Sequence, residues 1–296
     1  MISVESLFSA WNEFRKGKNK RKDVQEFGRN VEKNIFRLHR ELVARIYKHS
    51  TYSSFFIQDP KVRHIRKAEV RDRLVHQAVY TVLTQIFEPR FIHDLYSSRL
   101  GKGTHAGVNA LRKMTLKVSR NYTRQCWALK CDVRKFYDSV DHESLIWLLG
   151  KVIDDEAAMW LIKEIVGSFH QEGTPGKGLP IGNLTSQIFT NIYLSELDQF
   201  LKQRHRMKYY ARFTDDFVLL SENKAILEQI LPAIEQFLGS HLKIQLHPNK
   251  ISLRPLHQGI DFLGYVTLPH HRVLRTTTKR RMKRKLGGWM KSLKQK

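Results

Sequence analysis

The chain has 296 residues, and 52 Lys plus Arg against 28 Asp plus Glu leave a formal net charge of +24. That excess excludes an acidic solvating protein and makes a polyanion the expected partner, while 41% hydrophobic and 10% aromatic residues exclude a disordered basic tail. Two cysteines, Cys126 and Cys131, provide neither a disulfide framework nor a metal knuckle, and no apolar run approaches the roughly 20 residues that span a bilayer. No secretory signal is read at the start, so a cytoplasmic protein without a membrane partner is expected. The length suits one large domain or two or three subdomains.

Residues 4–47 read as two amphipathic helices separated by the run Arg15-Lys16-Gly17-Lys18-Asn19-Lys20-Arg21-Lys22, in which six of eight residues are cationic. In the second, Val31, Ile35, Leu38, Leu42 and Ile46 recur every three or four positions. Residues 54–58 and 62–66 read as a hairpin turning at Asp59-Pro60-Lys61, with cations on one side of its second strand. Helical periodicity then runs over 69–87 and stops at Pro89. Gly101-Lys102-Gly103-Thr104-His105 lacks the residue order of a nucleoside-triphosphate P-loop. It predicts a turn before a helix over 106–118, with Lys102 available to a phosphate.

Residues 127–133 predict a strand, and Asp141 is a candidate N-cap for a helix over 143–150. Helices over 157–169 and 184–201 flank a flexible loop at 172–178. Strands at 209–213 and 217–220 enclose Thr214-Asp215-Asp216. A helix over 225–238 and short strands near 250–253 and 262–266 follow. Helices and strands interleave irregularly, without the steady alternation of a doubly wound sheet.

Two adjacent carboxylates at the tip of an apolar hairpin repel each other unless a cation sits beside them. Asp132 lies on an apolar strand 83 residues upstream of Asp215, where a lone carboxylate must be paired. Carboxylates converging from neighbouring strands form the oxygen-rich site that Mg²⁺ accepts alongside substrate phosphates. Two such ions about 4 Å apart serve phosphoryl transfer, which a strongly basic chain would carry out on nucleic acid.

At these residues the chain resembles the reverse transcriptases. Asp132-Val133-Arg134-Lys135-Phe136-Tyr137-Asp138-Ser139-Val140-Asp141-His142 is similar to their first catalytic box, and Arg212-Phe213-Thr214-Asp215-Asp216-Phe217-Val218 to their second. Gly178-Leu179-Pro180-Ile181-Gly182-Asn183-Leu184-Thr185-Ser186-Gln187 resembles the box between. Lys61-Val62-Arg63 resembles the motif that grips the incoming triphosphate, and Phe262-Leu263-Gly264-Tyr265 resembles the primer grip. The boxes occur in family order across residues 55–266.

The resemblance implies an α+β right-hand polymerase: an antiparallel-sheet palm packed on helices, helical and hairpin fingers, and a short helical thumb. It divides the chain into an N-terminal helical extension (1–50), fingers (51–126), a palm (127–265, with finger segments around 170–190) and a basic thumb (266–296). It implies an RNA-directed DNA polymerase with Asp132, Asp215 and Asp216 catalytic, Lys250 protonating the leaving pyrophosphate, and two Mg²⁺ (Mn²⁺ as substitute) on Asp132, the Val133 carbonyl, Asp215 and Asp216. Asp216 has a competing role as support for the turn, because adjacent strand residues face opposite ways. Lys61, Arg63, Tyr137, Ile181 and Gly182 would bind the dNTP. Tyr137 would block a ribose 2′-hydroxyl, a role that Phe136 fills in a shifted register. Arg99, Lys102, Phe262, Leu263, Gly264 and Tyr265 would contact primer and template.

Ile181 and Gln187 depart from the usual family pattern. Ile-Gly-Asn-Leu-Thr-Ser-Gln, the opening around Trp11, and Gly-Lys-Gly-Thr-His resemble reverse transcriptases of diversity-generating retroelements. Those enzymes copy a template RNA into error-prone cDNA beside a small basic accessory protein, alone or as an oligomer. An aliphatic Ile181, unable to donate a hydrogen bond near the nascent pair, would lower fidelity unless it packs beneath the loop. Residues 276–296 hold nine Lys or Arg and no acid, as a duplex-facing helix would. Only 31 residues follow Tyr265, a short thumb, so a partner or oligomer is expected to complete the channel. The competing readings are a bacterial, anti-phage defence-type reverse transcriptase and a catalytically silent RNA-binding module. A retron enzyme or intron maturase fits the length less well. A bacterial or phage origin follows from the same resemblance.

Overall fold

The computed structural model describes residues 1–58 and 61–294. The turn expected at Asp59-Pro60 lies outside the described residues. In chain order the elements are α1 (Val4–Arg15), α2 (Lys22–Arg29), α3 (Val31–Val43), β1 (Ser53–Gln58), β2 (Val62–Lys67), α4 (Val70–Phe87), α5 (Thr104–Val118), β3 (Trp127–Asp132), α6 (Phe136–Ser139), α7 (His142–Gly150), α8 (Glu156–Gly167) and α9 (Leu184–Gln199). They continue with β4 (Tyr209–Phe213), β5 (Asp216–Ser221), α10 (Lys224–Leu242), β6 (Ser252–Pro255), β7 (Ile260–Phe262), β8 (Tyr265–Thr267), β9 (Arg272–Leu274) and α11 (Thr276–Lys294).

The chain forms two compact units, each assembled from separated segments. One holds Met1–Phe91, Lys135–Glu196 and Leu238–Ile244; the other holds Ile92–Arg134, Leu197–Phe237 and the chain from Gln245 onward. Helices α9 and α10 contribute residues to both.

In the first unit α1 buries Leu7, Ala10, Trp11 and Phe14, the spacing of one helix face. It packs against α3 and α4. The second helix expected before Tyr47 is two helices. Asn30, at φ −125° and ψ 40°, leaves helical geometry, and the break lets α2 pack on α4 while α3 meets α1. Strands β1 and β2 pair antiparallel as the expected hairpin. Asp141 caps α7 as expected, accepting from the Ser144 amide at 2.9 Å, and α7 packs on α8.

In the second unit four antiparallel strands run in the order β4-β5-β3-β6. α5 packs on β4 and β5. Leu111, Val118, Ala128, Val218, Leu220 and Phe262 share its core. The single strand expected near 262–266 is instead the β7–β8 turn, with φ of +51° at Leu263 and +84° at Gly264. β9 extends that sheet to three strands. Among the described residues no helix is long and apolar enough to cross a membrane.

Candidate functional site

Alternation along β3 puts Ala128, Lys130 and Asp132 on one face. The β3–β5 register sets Asp132 opposite Asp216. One residue further, the Val133 amide donates to the Asp215 carbonyl at 3.2 Å, and the His247 amide donates to the Asp132 carbonyl at 2.8 Å. Two acidic segments far apart in sequence are therefore hydrogen-bonded neighbours. Thr214 turns the β4–β5 hairpin at φ +54°, and its amide donates to Ser97 Oγ at 2.9 Å.

Cations already approach these carboxylates. Lys250 Nζ donates to Asp132 Oδ1 at 2.5 Å, and Lys130 Nζ lies 3.4 Å from Asp216 Oδ2. Burial pushes the Asp216 carboxyl up to about 7; Lys130 opposes this, and the charges of Asp132 and Asp215 add to it. Its buried Oδ1 has no hydrogen-bond partner among the described residues. An orphaned buried carboxylate oxygen, electrostatically coupled to two further carboxylates, suits a hard divalent cation. No three metal-ligating side chains among the described residues already form a closed ligand set.

The hairpin rests on a buried ion pair. Arg212 is fully buried on β4, and its guanidinium grips Asp198 through Nε at 2.7 Å and Nη2 at 2.5 Å. Its Nη1 donates to the Thr214 carbonyl at 3.0 Å, and Tyr210 Oη donates to Asp198 Oδ1 at 2.7 Å. One guanidinium thus ties the turn that carries Asp215 to a helix-borne carboxylate.

The residues expected at the dNTP lie in the first unit. Lys61 and Arg63 are exposed. The Ile181 carbonyl accepts from the Arg66 amide at 2.9 Å, which pins the Ile181 loop to β2. Gly182 sits at φ +114°, and a Cβ there would stand 2.8 Å from Ile65 Cγ2, so glycine is required by conformation and by space. Phe136 is buried, 6.3 Å between centroids from Tyr193, whereas Tyr137 is half-buried. The accessible aromatic is Tyr137.

The residues expected at primer and template lie in the second unit. Arg99 Nη1 donates to the carbonyls of Ile92 and Leu95 at 2.7 and 3.2 Å. Lys102 Nζ donates to the His93 carbonyl at 2.9 Å and lies over the Tyr96 ring. Both cations are engaged by their own loop. Phe262 is buried in the core, so its side chain is withdrawn from a strand and only the Leu263-Gly264 turn and Tyr265 are accessible. α11 presents exposed Lys279, Arg280, Lys283, Arg284 and Lys285 together with exposed Met282, Leu286, Trp289 and Met290.

Sequence reasoning missed Lys130 and Arg212. Each left a trace: a charged side chain on an apolar strand needs a buried partner. Nothing local named Asp198 or Asp216 as that partner.

Residues 48–267 match the family described as Reverse transcriptase (RNA-dependent DNA polymerase). The chain is 26% identical over 242 residues to Protein YkfC of Escherichia coli (strain K12), which covers 69% of this chain and 63% of that protein. It is 23% identical over 271 residues to the group II intron-encoded protein LtrA of Lactococcus lactis subsp. cremoris, which covers 69% of this chain and 44% of LtrA. The chain therefore spans less than two thirds of either relative. Its fold is similar to that of telomerase from Candida tropicalis, with a TM-score of 0.59 at 12% identity over 77% of this chain and 55% of that one. It is also similar to telomerase from Candida albicans in complex with a fragment of telomeric RNA, with a TM-score of 0.56 at 13% identity, covering 77% and 47%.

Proposed function

The chain belongs to the reverse transcriptase (RNA-dependent DNA polymerase) family, and from that premise we propose that it copies a template RNA into cDNA by nucleotidyl transfer. The observation carrying this reading is the register that sets Asp132 opposite Asp216, with the Asp215 backbone bonded to Val133. In the proposed reaction a primer 3′-hydroxyl gives its proton to solvent water as its oxygen attacks the α-phosphorus of a dNTP, the new phosphodiester forms, and the bond to pyrophosphate breaks. Asp132, Asp215, Asp216 and the Val133 carbonyl would hold divalent cations of the Mg²⁺ class, with Mn²⁺ as substitute, which supply charge neutralisation at the attacking and leaving oxygens. Lys250 gives a proton to the leaving pyrophosphate. Lys61 and Arg63 bind triphosphate oxygens, Arg63 as a fork and Lys61 as a mobile point charge. Tyr137 excludes a ribose 2′-hydroxyl. Leu263, Gly264 and Tyr265 position the primer, and the palm, fingers and basic thumb follow the division given by the motifs.

The subtype proposed is that of diversity-generating retroelements, acting with a small basic accessory protein in a bacterial or phage-infected cytoplasm. It rests on the segment from Ile181 to Gln187. The sequence likeness to LtrA favours a second reading, an enzyme of the group II intron type. Primer extension on an RNA template with Mg²⁺ tests the polymerase, and sequencing its products tests the subtype. Asp215→Ala is expected to abolish extension. Ile181→Gln is expected to lower misincorporation opposite template adenine, and an unchanged error spectrum would favour the intron-type reading. Extension undiminished in Asp215→Ala would sink the polymerase reading.

A further inference from the structure

On the carboxylate-bearing face of the four-stranded sheet, a pocket of about 350 Å³ opens beside the site already described. Its walls include Lys130, Lys250, Ser252, Arg254, Asp261 and Arg275. The β3–β6 register sets Ser252 opposite Lys130 and Arg254 opposite Ala128. These side chains therefore share the face that carries Asp132. Four cations, from β3, β6, the turn at Lys250 and the residue before α11, meet one wall carboxylate, Asp261.

Each of these cations has a different restraint. Lys130 and Lys250 reach the pocket while their ammonium groups lean on Asp216 and Asp132. Arg275 is held in a fixed orientation by Asp261, to which its Nε donates at 2.7 Å and its Nη2 adds a second bond. Arg254 is exposed, and no ion pair restrains it among the described residues. Arg254 thus keeps its charge free for an anion. The ammonium groups of Lys130 and Lys250 can turn to a ligand that carries enough charge to compete with Asp216 and Asp132, as a small anion with several charges does and a singly charged strand phosphate does not. The volume is at the lower end for small-molecule sites, about 300–1,000 Å³.

We propose that this pocket receives inorganic pyrophosphate as it leaves the reaction, with Arg254 as the residue that draws it away from the carboxylates. The assignment rests on the polymerase reading, because that reaction generates pyrophosphate within reach of Lys250. Lys250 contacts Asp132 and also lines the pocket, so the leaving group stays within its hydrogen-bonding reach as it passes from one place to the other.

The test is calorimetric titration of the whole chain with sodium pyrophosphate, for the native protein and for Arg254→Gln and Arg254→Lys. Inhibition of primer extension by added pyrophosphate is measured in parallel. Arg254→Gln is expected to weaken pyrophosphate binding and inhibition about tenfold, and Arg254→Lys by less, because the charge remains and the fork is lost. Circular dichroism establishes that each variant is folded. Unchanged pyrophosphate affinity in Arg254→Gln overturns the proposal. So does an equal loss of affinity for a primer–template duplex, which would give the pocket to a strand backbone. Absence of extension by the native protein would instead sink the polymerase reading, while the titration still decides whether the pocket binds this anion.

Discussion

Arg212 shows how much a single residue can hold in place. Its guanidinium is fully buried, pairs with Asp198, and also donates to the carbonyl of Thr214 in the turn before Asp215. Burial raises the Tyr210 hydroxyl well above its ordinary range, and the neighbouring Asp198 charge adds to the effect. The phenol therefore stays a donor to that carboxylate. Removing one partner of a buried pair leaves an uncompensated charge, so Asp198→Ala is expected to destabilise the protein by about 3–5 kcal/mol. The measurement is the urea unfolding free energy; a loss below about 1 kcal/mol would mean that water or another group replaces the carboxylate. At this scale the sequence was partly legible. Arg212 passed unremarked inside its motif, whereas Asp132, Asp215 and Asp216 stood out as charges in apolar surroundings. Their partners did not, because pairing across strands leaves no local trace.

Among the elements, expectation succeeded where the hydrophobic period was long and unbroken. The helices α4 and α5 and the β1–β2 and β4–β5 hairpins lie where the pattern set them. It failed where one residue turned the chain inside a continuous apolar run. Asn30 divides α2 from α3, and Leu263-Gly264 divides β7 from β8; in both cases burying two faces outweighs continuing one element. The loop at Ile181-Gly182 depends on similar local geometry. With φ at +114° and Ile65 where a Cβ would go, Gly182→Ala is expected to cost about 1–3 kcal/mol. Gly176, at φ +74° with open space around it, provides the comparison. Gly176→Ala should cost less, and equal shifts in the two denaturant midpoints would contradict the account of the loop.

For the molecule as a whole, two buried groups tilt stability with pH in opposite directions: Asp216, raised from 3.8 to about 7, adds stability as pH falls through 7, and His76 removes it as pH falls through 6.5. Burial, with smaller contributions from His49 and Arg73, lowers the His76 pKa from 6.5 to about 3. Between those values the unfolded chain takes up a proton at this residue that the folded chain refuses, so the His76 contribution to stability declines as pH drops from about 6.5, approaching about 1.4 kcal/mol per unit. For Asp23, burial alone would raise the pKa, but hydrogen bonds from Lys67 and Arg73 outweigh it and lower the group from 3.8 to about 2. Its contribution is complete above 3.8 and disappears as pH falls towards 2. Thermal melting from pH 6.5 to pH 4 reads His76 by difference, because Asp216 acts equally in both proteins. His76→Asn is expected to gain stability relative to the native protein as pH falls through this range, and parallel profiles would refute the assignment to His76.

The sequence by itself determined that this protein is a basic, core-forming α+β chain with polymerase boxes in family order, because charge imbalance, hydrophobic period and motif spacing are properties of the linear chain. Only the tertiary structure decided that Lys130 faces Asp216, that Phe262 belongs to the core while Tyr137 remains accessible, and that four cations converge on one pocket. Those are relations between segments tens to more than a hundred residues apart. Their energies arise from burial and short-range electrostatics, which exist only once the strands are in register.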